Sequence, residues 1–186
     1  MKRLNITATP LDGVVRVDRA IGRDTRGAFA RLFCAEELAA CGWTDPIAQV
    51  NHSATPRRGS LRGMHFQYAP YAEAKLVTCI RGVIFDVAVD LRKGSSTYLH
   101  WHGEILGGAD GGAMLIPPGF AHGFQTLSDD VELIYCHSRP YAASTEGGLH
   151  PFDPAIGIGW PEPVSEISDR DLDHPALTGD FQGVIL

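Results

Sequence analysis

Four short segments set polar side chains into otherwise apolar surroundings: Gln49 to Ser53, Leu61 to Gln67, Ala72 to Leu76, and Pro117 to Phe124. Within them, His65 and Lys75 are the residue types needed to remove a proton from carbon beside a ketone. Such a proton becomes removable only when the enolate oxygen is stabilised, and a positioned cation such as Lys75 supplies roughly 3 kcal/mol or more of that in a dry site. His65 suits the base, because an unperturbed pKa of about 6.5 leaves imidazole largely neutral near pH 7. A second proton carrier could be Tyr135, whose hydroxyl lies in the run Glu132 to Ser138 (ELIYCHS). A carboxylate that fixes the tautomer of the base could come from Asp169 or Asp171 in Ser168 to Asp171 (SDRD), and the residues alone do not choose between them. Each residue also has a plainer reading: a hydrogen-bonded core histidine, a strand tyrosine, a loop-capping aspartate. Lys75 weighs against those readings together, since an inward-facing lysine is costly unless paired or used.

The elements that must position these groups read as short strands. In Leu76 to Leu91 (LVTCIRGVIFDVAVDL), two Val- and Ile-rich runs flank Arg81-Gly82, a hairpin-like turn signal. The second run puts Val83, Phe85, Val87 and Val89 on one face, read as the core side, and Ile84, Asp86, Ala88 and Asp90 on the other. The same alternation puts Leu61, Gly63, His65 and Gln67 on one face, so that His65 looks inward. Further strand-like runs cover Tyr98–Leu106, Ala113–Ile116, Gly123–Thr126 and Val131–His137. Turn signals separate them at 93–96, 107–112, 117–119 and 128–130. Many short strands joined by tight turns point to a sandwich or barrel. One short helix fits Ala35 to Cys41 (AEELAAC), with Gly42 as its C′ residue. After about residue 147 the chain turns rich in Pro, Asp and Gly and reads as an irregular segment packed across the sheets of a single domain spanning 1–186.

Sixteen Lys and Arg against 22 Asp and Glu leave a formal charge of −6. That balance disfavours a nucleic-acid or anionic-membrane binder, so an anionic ligand must be held by a local cluster of cations. Arg57, Arg58 and Arg62 form one such cluster, and a pyrophosphate would suit them. Cys34, Cys41, Cys79 and Cys136 lack C-x-x-C spacing and read as reduced thiols of a cytoplasmic protein. Neither a secretory leader nor a membrane span is expected.

Gly111 to His122 matches the cupin signature G-x5-P-x-G-x2-H, which implies a small double-stranded β-helix. Cupins commonly hold a metal, and His65, Gln67, Glu73 and His122 imitate the usual ligands. Against that, His-x-His is His-x-Gln here, and Lys75 would place a cation beside the metal. The run Leu61 to Gln67 (LRGMHFQ), Lys75-Leu76-Val77, Asp86 to Arg92 (DVAVDLR), Ile116 to Phe124 (IPPGFAHGF), Gly157 to Pro161 and Ser168 to Asp171 together resemble the dTDP-4-dehydrorhamnose 3,5-epimerase family. The similarity runs from about Asp24 to Pro175.

That resemblance implies an all-β fold: a cupin-type jelly roll with a few short helices. It also implies a homodimer without cofactor or metal, acting on a nucleotide-linked 4-keto-6-deoxy sugar. It assigns His65 as base, Tyr135 as acid, Asp171 as the carboxylate that orients the base, and Lys75 beside the substrate carbonyl. Arg62 and His122 fall on active-site positions. Gln49 and Asn51 fall at the nucleotide end, as do Arg26 and Phe29, which in relatives reach the partner subunit's site. Two departures lie at that same end: Arg31 where relatives commonly carry an acid, and no aromatic near Ile21-Gly22. The rival readings are an epimerase acting at a single carbon or on another nucleotide sugar, a metal-dependent cupin, and a non-catalytic sugar-binding cupin. An opposed acid and base argue against the last, because binding alone needs neither.

Overall fold

The computed structural model describes residues 3–186. In chain order its elements are β1 (Leu4–Ala8), β2 (Val15–Arg19), β3 (Ile21–Asp24), β4 (Gly27–Ala30), α1 (Ala35–Ala39), β5 (Gln49–Thr55), β6 (Leu61–Gln67) and β7 (Lys75–Arg81). They continue with β8 (Val83–Asp90), β9 (Trp101–Gly107), β10 (Gly112–Ile116), β11 (Phe120–Thr126), β12 (Val131–His137), β13 (Glu146–Gly148) and α2 (Asp169–Leu172). A six-stranded sheet in the order β1-β2-β10-β7-β12-β5 faces a five-stranded sheet in the order β13-β6-β11-β8-β9, and every ladder within them is antiparallel. Two packed antiparallel sheets are the sandwich expected from the turn spacing, in the jelly-roll form that the resemblance implies. The hairpin β3–β4 stands apart as a two-stranded ribbon. Among the described residues no helix is long and apolar enough to cross a membrane.

Arg81-Gly82 does not close a hairpin. β7 lies in one sheet and β8 in the other, so the turn carries the chain across the sandwich. Local turn chemistry is the same for a hairpin and a sheet-to-sheet corner, and only the pairing partners distinguish them. The face assignment of β8 also changes. Ile84 and Ala88 are fully buried between the sheets with Val77, Leu106 and Leu133, so the face bearing Asp86 and Asp90 is the interior one. Val87 and Val89 are buried as well, against Leu149, Ile156 and Val184 of the C-terminal segment. A strand covered on both faces carries apolar residues at both parities, which hides the inward face from a two-residue period.

The outer face of the six-stranded sheet is covered by α1, where Leu38 and Trp43 pack on Leu76, Leu115 and Cys136. The helix ends as its sequence requires. Gly42 has φ +93, the Gly42 N–H donates to Ala39 O, and the Trp43 N–H reaches Leu38 O, the paired bonds of a Schellman cap.

Candidate active site

One end of the space between the sheets is filled with apolar side chains, and the other opens into a cavity of about 1550 Å³. Its lining includes His65, Lys75, His122, Tyr135, Asp171 and Arg62, supplied by β6, β7, β11, β12 and α2. Segments remote in sequence therefore meet in one place. Inward positions are set by alternation: on β7, Lys75 shares its face with Val77 and Cys79, and on β12, Tyr135 shares its face with Leu133.

β6 departs from strict alternation. On β11, His122 pairs with His65 and Phe124 with Arg62, so three steps on β6 match two on β11, the signature of a bulge. The extra residue turns Arg62 to the same cavity as His65, where the simple period would send it to the other face. Gly63 makes this possible. At φ +123, a Cβ there would lie 2.5 Å from Gly123 Cα and 2.9 Å from His122 O.

His65 Nε2 lies 2.7 Å from Asp171 Oδ1. The second oxygen, Oδ2, accepts the Gly63 N–H at 3.1 Å, while the Asp171 N–H donates to the Ser168 hydroxyl that caps α2. Burial pushes the Asp171 carboxyl up. The hydrogen bonds from His65 and Gly63 and the charge of His65 outweigh that and hold it below its ordinary value. Of the two candidate carboxylates, Asp171 is the one that meets His65. His174 stands edge-on to His65 with ring centroids 5.8 Å apart, and its buried Nε2 has no hydrogen-bond partner among the described residues.

Lys75 is almost fully buried. Its Nζ lies 3.0 Å from Glu73 Oε1 and donates to His65 O at 3.1 Å. Glu73 Oε2 in turn accepts the amide of Gln67 at 2.9 Å. Of the residues that in sequence imitate metal ligands, Gln67 is therefore engaged with Glu73, and Glu73 with both Gln67 and Lys75. Among the described residues, the close-set ligand atoms belong instead to His65, Asp171 and His174.

His122 Nε2 lies 2.7 Å from Asp86 Oδ1. Asp86 is fully buried, and burial pushes its carboxyl up against the opposing pull of His122 and Lys75. Across the cavity, burial and then the Asp86 charge push the Tyr135 hydroxyl far up, with Arg62 and Ser53 working the other way. Tyr135 is therefore protonated throughout the physiological range. His137, stacked on Tyr135 at 6.2 Å, is pushed down to about 4 by burial and by Lys75 and His122, against Glu73. His137 lines the cavity and Asp86 is buried behind it as the partner of His122, and sequence reasoning assigned neither to the site. The signal for Asp86 was its shared parity with Ile84 and Ala88, and for His137 its shared parity with Tyr135.

Gln49 and Asn51 lie on β5 along the cavity, joined by a Gln49 Nε2 to Asn51 Oδ1 hydrogen bond of 3.0 Å. Arg26 and Phe29 are not in this cavity. They sit on the β3–β4 ribbon, where Arg26 pairs with Asp24 and Phe29 is 74% exposed. Arg57 and Arg58 do not face it either. They form exposed ion pairs with Glu166 and Glu162 of the C-terminal segment, so of the three clustered arginines only Arg62 lines the cavity. Trp160 packs edge-on to Phe85, with its indole N–H on Pro151 O.

The family model for dTDP-4-dehydrorhamnose 3,5-epimerase matches residues 8–179. The chain belongs to that family. A curated relative, dTDP-4-dehydrorhamnose 3,5-epimerase of Streptomyces griseus, is 41% identical over 156 residues, covering 83% of this chain and 77% of its own. Among solved structures, the dTDP-6-deoxy-D-glucose-3,5-epimerase of Legionella pneumophila in complex with dTDP-4-keto-L-rhamnose superposes with a TM-score of 0.90. It shares 34% identity and covers 98% of this chain and 99% of its own. A 3'-monoepimerase of Streptomyces bikiniensis in complex with dTDP-quinovose gives a TM-score of 0.84 at 34% identity, covering 90% and 85%.

Proposed function

We propose that this isomerase inverts carbons C3 and C5, which flank the ketone of a dTDP-linked 4-keto-6-deoxyhexose, with His65 as the base and Tyr135 as the acid. The observation that carries this reading is the convergence of a His–Asp pair, a buried lysine and a protonated tyrosine on one cavity.

Asp171 holds one ring nitrogen of His65, which fixes the tautomer and leaves Nδ1 to take the proton. As the C–H bond breaks, its electron pair moves into the ketone, and Lys75 faces the charge that develops on oxygen. Tyr135 returns a proton to the opposite face, so the step is redox-neutral and the configuration inverts. Arg62 and Ser53, which oppose the rise in the hydroxyl's pKa, favour the phenolate left by that donation. Protonated His65 then releases its proton to solvent and the Tyr135 phenolate takes one up, which restores both starting states in the open cavity. Both carbons adjoin the same carbonyl, so one enolate-stabilising group serves both inversions.

Gln49, Asn51 and His122 belong to the binding surface in this reading, with Arg62 set toward the pyrophosphate. The enzyme works as a homodimer in the cytoplasm, with Arg26 and Phe29 on their exposed ribbon reaching the partner subunit's cavity. The test is NMR of a dTDP-4-keto-6-deoxy sugar in heavy water with the enzyme. Deuterium at C3 and C5 with inversion at both is expected. Exchange at one carbon only would restrict the activity to a monoepimerase, and no exchange at either would overturn the reading.

A further inference from the structure

His137 has no part in the proton transfers just described, yet its place on the cavity wall is defined. On β12 it lies directly opposite Lys75 of β7 on one side and Gln49 of β5 on the other. The next inward row is Val77, Tyr135 and Asn51. Directly opposite residues on neighbouring strands bring their Cβ atoms within about 5 Å, so His137 bridges the enolate end of the cavity and its nucleotide end. Its ring is held by stacking on Tyr135 at 6.2 Å with an interplanar angle of 29°, and its Nε2 lies 3.5 Å from Asn51 Nδ2. The fixed ring presents a nitrogen to whatever spans the gap between Lys75 and Gln49.

We propose that His137 hydrogen-bonds the 2-hydroxyl of the substrate's hexose and so helps to set sugar specificity, an assignment that rests on the reading above. With the C4 ketone at Lys75 and the nucleotide toward Gln49 and Asn51, C2 is the hydroxyl-bearing carbon between the reacting C3 and the anomeric phosphate. Burial, Lys75 and His122 keep the imidazole uncharged near neutral pH, against the pull of Glu73. A neutral imidazole matches a neutral hydroxyl, which it can meet as donor or acceptor. A phosphate would be better met by an arginine of the cavity wall, Arg62 or Arg170.

The experiment compares wild type, His137→Phe and His137→Gln on the dTDP-4-keto-6-deoxy sugar and its 2-deoxy analogue, with dTDP binding measured by calorimetry. Phe keeps a flat ring against Tyr135, and Gln keeps a hydrogen-bonding group. Losing one neutral hydrogen bond should raise KM by roughly three- to tenfold in the Phe variant, more than it lowers kcat, with Gln recovering most of the loss. Wild type should pay a similar penalty on the 2-deoxy analogue, and the Phe variant should add little to it. Affinity for dTDP should stay within about twofold of wild type. Full additivity of the variant and analogue penalties would overturn the assignment, as would an equal loss on dTDP or no loss at all. Solvent exchange by wild type is measured first. Its absence would overturn the functional reading itself, whereas normal exchange with additive penalties would overturn the His137 assignment alone.

Discussion

The two halves of the space between the sheets are built from the same strands and differ only in residue type. β7 places Val77 and Cys79 in the filled half and Lys75 in the open one, and β12 places Leu133 in the first and Tyr135 and His137 in the second. The filled half is close-packed, with Val77, Cys79, Ile84, Ala88 and Leu133 all at 0% exposure. The open half holds buried charge, and it tolerates unmet polar atoms. Thr55 Oγ1, Asp86 Oδ2 and His174 Nε2, the buried side-chain atoms without a hydrogen-bond partner among the described residues, lie respectively on the cavity wall, behind His122 and beside His65. An unmet buried polar group costs about 1–3 kcal/mol, so stability is concentrated in one half and chemistry in the other. Substitutions should separate along the same line.

The largest effect belongs to the open half. His65→Asn should lower solvent exchange at the reacting carbon by about 10²–10⁴-fold with the melting temperature near wild type, measured by deuterium uptake and calorimetry. Near-normal uptake would remove His65 as base. Lys75→Met should lower kcat by about 10²–10³-fold and affect substrate affinity less, because the oxyanion exists mainly beyond the ground state. A raised KM with unchanged kcat would make Lys75 a binding group only.

In the filled half, Leu133→Ala should cost about 2–5 kcal/mol in denaturant unfolding and leave kcat of the folded enzyme close to wild type. A large kcat loss with little loss of stability would erase the division between the halves. The smallest effect is a matter of pH. Asp90 is buried, and burial pushes its carboxyl up. Hydrogen bonds from Arg92, Ser95 and Thr97 outweigh that and bring it to about 2, from 3.8 when unperturbed. A folded-state value below the unfolded one adds stability that is complete above about pH 4 and lost as pH falls toward 2. Asp90→Asn should therefore be less stable than wild type at pH 6, with the gap narrowing across that window. A constant gap down to pH 2 would contradict the shift.

Much of this division was legible in the sequence where local rules and fold agree. The run from Gly111 to His122 combines the end of a turn, a short strand and a second turn, and the structure places those features at 108–111, β10 and 118–119. The C′ role of Gly42 follows from its neighbours. What escaped depended on contacts between distant segments. The interior face of β8 was hidden because the C-terminal segment buries the other face too. Arg62 reaches the cavity only through the bulge at Gly63, whose cause is the close approach of Gly123. Arg57 and Arg58 looked like an anion site because their partners, Glu166 and Glu162, lie more than 100 residues away.

The central claim is that acid and base act from opposite faces of the reacting carbon, and Tyr135→Phe tests it most directly. In heavy water this variant should still form the enolate, with protonated His65 as the donor that remains, so deuterium enters with retained configuration and little epimer appears. Substrate deuterated at the reacting carbon, followed in ordinary water, detects enolate formation even where the abstracted proton returns internally. Exchange or wash-out well ahead of epimer formation is the predicted result. Epimer formed at the wild-type rate by the Phe variant would contradict the assignment of Tyr135 as the acid and transfer that role to another donor on the cavity wall, of which His122 is the first to test.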